Sequence, residues 1–239
     1  MRKLRRGSDM GNGRGVARAP DRLRRRSPMT NPDPAAPATP PCEVRVIAGA
    51  LSAEVQNRLV AEVLTAAALA PFYRPVTPSG RMSVEITSLG VLGWTSDARG
   101  YRYEPRHPQT GLPWPPIPQS LLQLWSSLSA ASAKPDSCLV NLYRTGARMG
   151  LHQDRDEVDF DAPVLSISLG DTAVFRIGGL TRRAPSRTIR LASGDICLLA
   201  GPSRMAFHGI DRIIPGSSQL IPGGGRVNLT LRRAGPSTA

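Results

Sequence analysis

Apolar residues recur along this chain in two rhythms, and the change from one to the other divides it. Val55, Leu59, Val60, Val63 and Leu64 fall at helical spacing, with Ser52 placed to cap the first turn and Pro71 to stop the helix after Ala70. A second helix is predicted from Gln119 to Ala133, burying Leu121, Leu122, Leu124, Trp125 and Leu128. Between them Val84 to Pro118 is rich in Gly, Pro, Tyr and Trp and reads as an irregular surface segment, not as core. From Cys138 the rhythm shortens to runs that suit strands: Cys138 to Tyr143, Val164 to Leu169, Ala173 to Ile177, Thr188 to Leu191, Asp195 to Ala200 and Val227 to Leu231. Turn residues such as Gly178-Gly179, Ser193-Gly194 and Pro222 to Gly225 separate them. Short strands at this spacing argue for a sandwich or barrel, of which the jelly roll is the version that commonly holds a metal in its mouth. The expected class is mainly β with N-terminal helices added, and no internal repeat is visible.

Charge changes the picture at the N-terminus. The net charge is +13 over 239 residues, but residues 1 to 41 hold ten Lys/Arg and three Asp, against 21 Lys/Arg and 15 Asp/Glu in the rest. The first 26 residues are Arg and Gly with few large apolar side chains, and six of the fifteen from Ser27 to Pro41 are Pro. Such a segment buries too little surface to offset its ordering entropy, so 1–41 is expected to be a disordered basic tail. It is either a nonspecific nucleic-acid arm or without function, with Met10 and Met29 as alternative starts. The remainder divides into 42–136, a helical support and lid, and 137–235, the β core, together one structural unit. A basic protein suits a polyanion because phosphate contacts release counterions; a general replacement of Lys by Arg is the competing explanation. Cys42, Cys138 and Cys197 are far apart, odd in number and without a Cys-x-x-Cys pair, as for buried thiols in a reducing cytoplasm. No apolar run approaches the roughly 18 residues of a membrane span, and no secretory signal is visible. A cytoplasmic monomer is the expectation.

Candidate chemistry concentrates in three C-terminal stretches. His152-Gln-Asp154 and His208 supply two imidazoles and a carboxylate, the ligand set that leaves positions open on non-heme Fe(II) for an oxygenase. In Arg226-Val-Asn-Leu-Thr-Leu-Arg232 a strand would put Arg226, Asn228, Thr230 and Arg232 on one wall. Six strand residues cover roughly 20 Å, so the two guanidinium groups suit opposite ends of an elongated dianion. A 2-oxo diacid beside a metal answers that description. A zinc hydrolase would use the same three ligands and leave both arginines unexplained. The third histidine, His107, reads as a loop residue.

Asn141-Leu-Tyr143, Gly146-Ala-Arg-Met-Gly-Leu-His152-Gln-Asp154-Arg-Asp156-Glu157, Ser166-Ile-Ser-Leu-Gly170, Gly178-Gly-Leu180, His208-Gly-Ile210 and Arg226 to Arg232 together resemble bacterial AlkB, the family of Fe(II)/2-oxoglutarate-dependent nucleic-acid demethylases. Leu92-Gly-Trp94-Thr and Pro108 to Ser120 resemble it too, so the likeness runs from about residue 45 to 235. It implies a double-stranded β-helix, or jelly roll, with Fe(II) on His152, Asp154 and His208 and no catalytic residue beyond these ligands. Arg226 would pair with the far carboxylate of 2-oxoglutarate, Asn141, Leu142, Tyr143 and Asn228 would complete its surroundings, and Arg232 would lie near the end that chelates iron. The implied reaction consumes O2 and 2-oxoglutarate, demethylates bases of the 1-methyladenine and 3-methylcytosine type in DNA, and releases formaldehyde, succinate and CO2.

Such a base must be single-stranded or flipped from its stack. By the resemblance Trp94 stacks on it, Tyr101 and Tyr103 contact the backbone, Asp156 meets the exocyclic nitrogen, and Arg182 grips a phosphate or the base edge. Arg176, on a strand whose alternation turns it toward the lid, is expected to modify lesion preference. The Pro222 to Gly225 turn is expected to loosen the register of the arginine wall. Two alternatives stay open: an RNA or tRNA demethylase or hydroxylase on the same site, and a non-catalytic nucleic-acid binder with a structural metal.

Overall fold

The computed structural model describes residues 43–77, 80–131 and 133–235, so the tail expected over 1–41 lies outside the described residues. After β1 (Arg45–Ile47) comes α1 (Ala53–Leu69), opened by Ser52, whose hydroxyl accepts from the Val55 amide at 3.3 Å. Two short hairpins flank one long strand: β2 (Val76–Thr77) with β3 (Gly80–Arg81), then β4 (Glu85–Gly90), then β5 (Gly93–Asp97) with β6 (Gly100–Glu104). Next is α2 (Gln119–Leu128), shorter than predicted because the chain turns back to place the Ala133 carbonyl on the Trp125 indole N–H, 3.0 Å away. The Ser-Ser-Leu-Ser run at this end offers the helix little propensity to continue.

Eight strands follow: β7 (Ser137–Tyr143), β8 (Met149–His152), β9 (Val164–Gly170), β10 (Thr172–Ile177), β11 (Arg187–Leu191), β12 (Ile196–Leu199), β13 (His208–Ile214) and β14 (Arg226–Arg232). They build a six-stranded antiparallel sheet in the order β1-β12-β9-β14-β7-β4 and a four-stranded one in the order β11-β10-β13-β8. Two facing antiparallel sheets make the expected jelly roll.

The period of two sorts each strand of the large sheet between two cores. Val140 and Leu142 of β7, Leu165 and Ile167 of β9 and Leu229 of β14 pack under Leu59, Val63, Leu121 and Trp125 of the helices. Leu139, Tyr143 and Val164 turn the other way and meet Phe175, Ile177 and Ile210 of the small sheet. Burying one such side chain contributes about 1.5–3 kcal/mol, so both layers are needed to hold the large sheet between them.

Three expectations are corrected. The Val84 to Pro118 segment is not purely irregular: Ile86 and Leu89 of β4 are fully buried, and β4 pairs along its whole length with β7. Its mixed Glu-Ile-Thr-Ser-Leu sequence hid a strand because both faces are covered, leaving no clean alternation. The Pro222 to Gly225 turn does not loosen the wall, since Asp171 accepts from the Gly225 amide at 3.1 Å and the Gly225 carbonyl accepts from the Asp171 amide at 2.8 Å. Gly225 has φ 104° and a Cβ there would lie 2.4 Å from the Tyr143 carbonyl oxygen, so this glycine is required by a close approach and not by looseness. Finally, Arg176 points away from the lid, to the outside of the small sheet, where it pairs with Asp211 at 2.9 Å.

Candidate active site

Between the sheets lies a cavity of about 510 Å³, the size of a small-molecule site. β8 and β13 are hydrogen-bonded neighbours whose register sets His152 directly opposite His208, and the rings come within 4.5 Å. Asp154 follows β8 by two residues. Its carboxylate stands 3.7 Å from Nε2 of each imidazole, and the three ligating atoms lie within 4.8 Å of one another. The backbone decides which nitrogen is offered. His152 Nδ1 sits 2.9 Å from the Gly150 carbonyl and His208 Nδ1 2.9 Å from the Ala206 carbonyl. A carbonyl only accepts, so each Nδ1 carries the proton and each Nε2 presents a lone pair toward Asp154. Burial, with His152 beside it, pushes His208 down to about 4, so it is neutral and able to ligate at neutral pH. Burial alone would raise the Asp154 carboxyl, but Arg232 and the two imidazoles outweigh it and hold it well below the usual carboxylate range. Two bare imidazole nitrogens and an ionised carboxylate at this spacing fit a divalent iron.

The β14 wall forms as the strand period demands: Arg226, Asn228, Thr230 and Arg232 line the cavity while Val227, Leu229 and Leu231 join the core behind. The two arginines differ in their partners. Arg232 donates to Asp154 at 2.9 Å and lies 3.3 Å from Glu157, so it orients an iron ligand. Arg226 is 1% exposed and, among the described residues, has no carboxylate beside it. One nitrogen donates to the Ser168 hydroxyl at 2.9 Å, and the guanidinium lies 5.3 Å from the Tyr143 ring centre. Its Nε and Nη1 are buried without a hydrogen-bond acceptor, as is the Asn141 amide oxygen without a donor. Burial disfavours the charged guanidinium, an imbalance that an acid entering the cavity would correct. These orphaned groups fit the far carboxylate of 2-oxoglutarate.

Other expected residues take different places. Leu142 is the correction on β7: alternation turns it away from Asn141 and Tyr143 into the core under the helices. Asn228 lines the cavity, but its amide nitrogen already donates to the Ser166 hydroxyl and the Ile167 carbonyl, at 2.7 and 2.9 Å. Cys197, one of the buried thiols, is pushed up to about 12 by burial and supplies no thiolate. His107 is buried in its loop, with Nε2 on the Pro71 carbonyl at 2.8 Å.

At the cavity mouth the β5–β6 hairpin stacks Trp94 on Tyr101, ring centres 5.5 Å apart and planes within 19°. The Trp94 indole N–H donates to Asp156 at 2.9 Å, which fixes a carboxylate at the edge of an aromatic platform. Tyr103 turns inward and donates to Glu157 at 2.6 Å, so its hydroxyl is not offered to a backbone phosphate. Arg182 stands at the rim, 5.4 Å from the Phe207 ring centre. Glu157 and Arg204 are the buried pair that residue-by-residue reading missed. Arg204 reaches Glu157 at 3.3 Å and the Asp154 carbonyl at 2.8 Å. The available signal was the uninterrupted Asp-Glu after the His-x-Asp step, in which one carboxylate faces the mouth and the next the interior.

The family model of the 2OG-Fe(II) oxygenase superfamily matches residues 43–232. The AlkB homolog of Caulobacter vibrioides, an alpha-ketoglutarate-dependent dioxygenase, is 66% identical over 187 residues, covering 78% of this chain and 85% of that protein. The chain belongs to the AlkB family. Escherichia coli AlkB is 42% identical, over 75% of this chain and 85% of its own length. The solved structure of OsALKBH1 superposes with a TM-score of 0.66 at 28% identity, covering 82% of this chain and 97% of that one. As a member of this family the protein is an Fe(II)/2-oxoglutarate-dependent dioxygenase, with O2 as its third reactant. Among the described residues no helix is long and apolar enough to cross a membrane.

Proposed function

We propose that this AlkB-family protein oxidatively demethylates alkylated bases of the 1-methyladenine and 3-methylcytosine type in DNA, as a monomeric repair enzyme of the cytoplasm. One observation carries the reading: the His152-Asp154-His208 centre, the Arg226 guanidinium with its two unsatisfied buried nitrogens and the Trp94–Asp156 platform open into a single cavity. Iron with 2-oxoglutarate supplies oxidative attack on an N-methyl group, and the chain's own residues bind, orient and enclose.

Arg226 takes the far carboxylate of the acid in two-point fashion, which a planar guanidinium does well, and Tyr143 stacks against it. Asn141 gains a partner for its buried amide, turning over if necessary to present N–H. Arg232 keeps Asp154 ionised and aimed, which leaves the near end of the acid to the metal. On the other side of the cavity Trp94 offers a π-face to a single-stranded or flipped base. Asp156, held by the Trp94 indole, lies where a cationic alkylated base carries its charge, so it favours that base over the neutral parent. Arg182 holds a neighbouring phosphate. The hydroxymethyl product decomposes to formaldehyde and the repaired base.

The test is release of formaldehyde and succinate from an oligonucleotide bearing 1-methyladenine or 3-methylcytosine, with Fe(II), 2-oxoglutarate and ascorbate. Methyl loss that requires 2-oxoglutarate is the expected result. Succinate release without methyl loss would refute the substrate, and a higher kcat/KM on a matched ribo-oligonucleotide would make the enzyme an RNA demethylase.

A further inference from the structure

Beyond residue 41 the chain holds 21 Lys/Arg against 15 Asp/Glu. That excess is confined to one place: Arg176, Arg182, Arg183, Arg187, Arg190 and Arg212, against Asp211 alone, lie on β10, β11, β13 and the β10–β11 loop. Elsewhere the described surface is close to neutral. The period of two sends Ile189 and Leu191 of β11 inward and Arg190 outward. The register then sets Arg190, Val174 and Arg212 in one row across the outer face of the small sheet. Val174 is only 8% exposed there, with the aliphatic stems of two arginines as its cross-strand neighbours. Of the six arginines, Arg176 is the one with a carboxylate partner among the described residues. Arg190 and Arg212 are exposed and have none among the described residues.

Protection of a sheet edge accounts for charge on β11, which is an edge strand, but not for Arg212 on the interior strand β13. One end of the small sheet is also level with the active site. Arg187, Ile177, His208 and His152 form one row, so the strand that carries Arg190 begins level with the iron ligands. From Arg187 to Arg190 the strand covers roughly 10 Å, and Arg190 and Arg212, two strands apart, are separated by a similar distance. A phosphate backbone presents a charge about every 3.4 Å of axis on each strand, so a run of a few nucleotides spans the face.

Resting on the reading of the substrate as nucleic acid, we propose that the outer face of the small sheet, through Arg190 and Arg212, is a second, sequence-independent binding surface for the backbone flanking the flipped nucleotide. It lies outside the cavity, so it sets affinity for long substrates and leaves the chemistry alone. The test compares the full-length protein with Arg190→Gln/Arg212→Gln, after thermal melting has shown that both are folded. Binding of an unmodified 20-nucleotide single strand is followed by anisotropy as a function of salt. Two lost phosphate contacts lower the slope of log K against log salt by about 1.4, a loss of about 25-fold in affinity at 0.1 M salt. The variant is expected to raise KM for a lesion-bearing 20-mer and to leave kcat, and all kinetics on a lesion-bearing trinucleotide, unchanged. Arg190→Lys/Arg212→Lys should restore the slope.

An unchanged slope in the Gln variant overturns the proposal, whether or not the enzyme demethylates anything. So does a lost affinity for anionic lipid vesicles with oligonucleotide binding intact, which would make the surface a membrane contact. A reduced slope in a protein that demethylates no methylated base supports the surface and refutes the assigned reaction, so the two failures are distinguishable.

Discussion

Replacing Arg226 with Met should move stability and cosubstrate binding in opposite directions. In the protein without bound acid, the guanidinium is 1% exposed, has no carboxylate partner among the described residues, and donates to Ser168. Exchanging a buried charge for an apolar side chain of similar volume typically contributes about 1–4 kcal/mol of stability. The Ser168 hydroxyl loses its partner, which costs about 1 kcal/mol, so Arg226→Met is expected to stabilise the acid-free protein by up to about 3 kcal/mol. At about 2–4 °C per kcal/mol for a chain of this size, its Tm should rise measurably. Binding of 2-oxoglutarate loses two charge-assisted hydrogen bonds at about 1.5–3 kcal/mol each, which weakens Kd by about 10²–10⁴-fold. Differential scanning calorimetry without cosubstrate and calorimetric titration of 2-oxoglutarate into the anaerobic Fe(II) protein measure both. A variant that melts lower than the wild type and binds 2-oxoglutarate with unchanged Kd would refute the idea that Arg226 is buried in order to wait for an acid.

Other consequences are equally open to measurement. His152→Ala or His208→Ala should abolish turnover and Fe(II) binding with the circular dichroism spectrum retained, and a wild-type rate in either would remove the iron assignment. Trp94→Ala should raise KM for a lesion-bearing oligonucleotide and leave unchanged the anaerobic absorption of the Fe(II)–2-oxoglutarate complex. Glu157→Leu strips a buried carboxylate from Arg204, Arg232 and Tyr103, and breaking such a buried network should cost about 3–5 kcal/mol in chemical denaturation. In metal-free protein His208 titrates at about 4 when folded and near 6.5 when unfolded. The unfolded chain therefore binds the extra proton, and stability should fall as pH drops from about 6.5 to 4, read as Tm after chelation.

Much of this molecule was written locally in the chain. The Ser52 cap, the apolar spacing of the first helix and the alternation of the C-terminal strands each depend on residues within a few positions, and each appears where it was predicted. The His-x-Asp step and the Arg226 to Arg232 wall were legible for the same reason, because a strand of period two dictates which side chains share a face. Pairing across large sequence separations decided the rest. β4 is a strand because β7, some fifty residues later, supplies its hydrogen bonds, and β13, with Gly209, Asp211 and Arg212 inside it, is a strand because β10 and β8 flank it. Burial decided which carboxylate does what: Asp156 and Glu157 are adjacent in sequence, yet one holds an indole at the mouth and the other two guanidinium groups in the interior. The separate fates of Arg226 and Arg232 are of the same kind, since only the fold places Asp154 beside one and no acid beside the other. A sequence names its charged groups, but their energies depend on which opposite charges and how much water surround them, and that is settled only when the chain closes on itself.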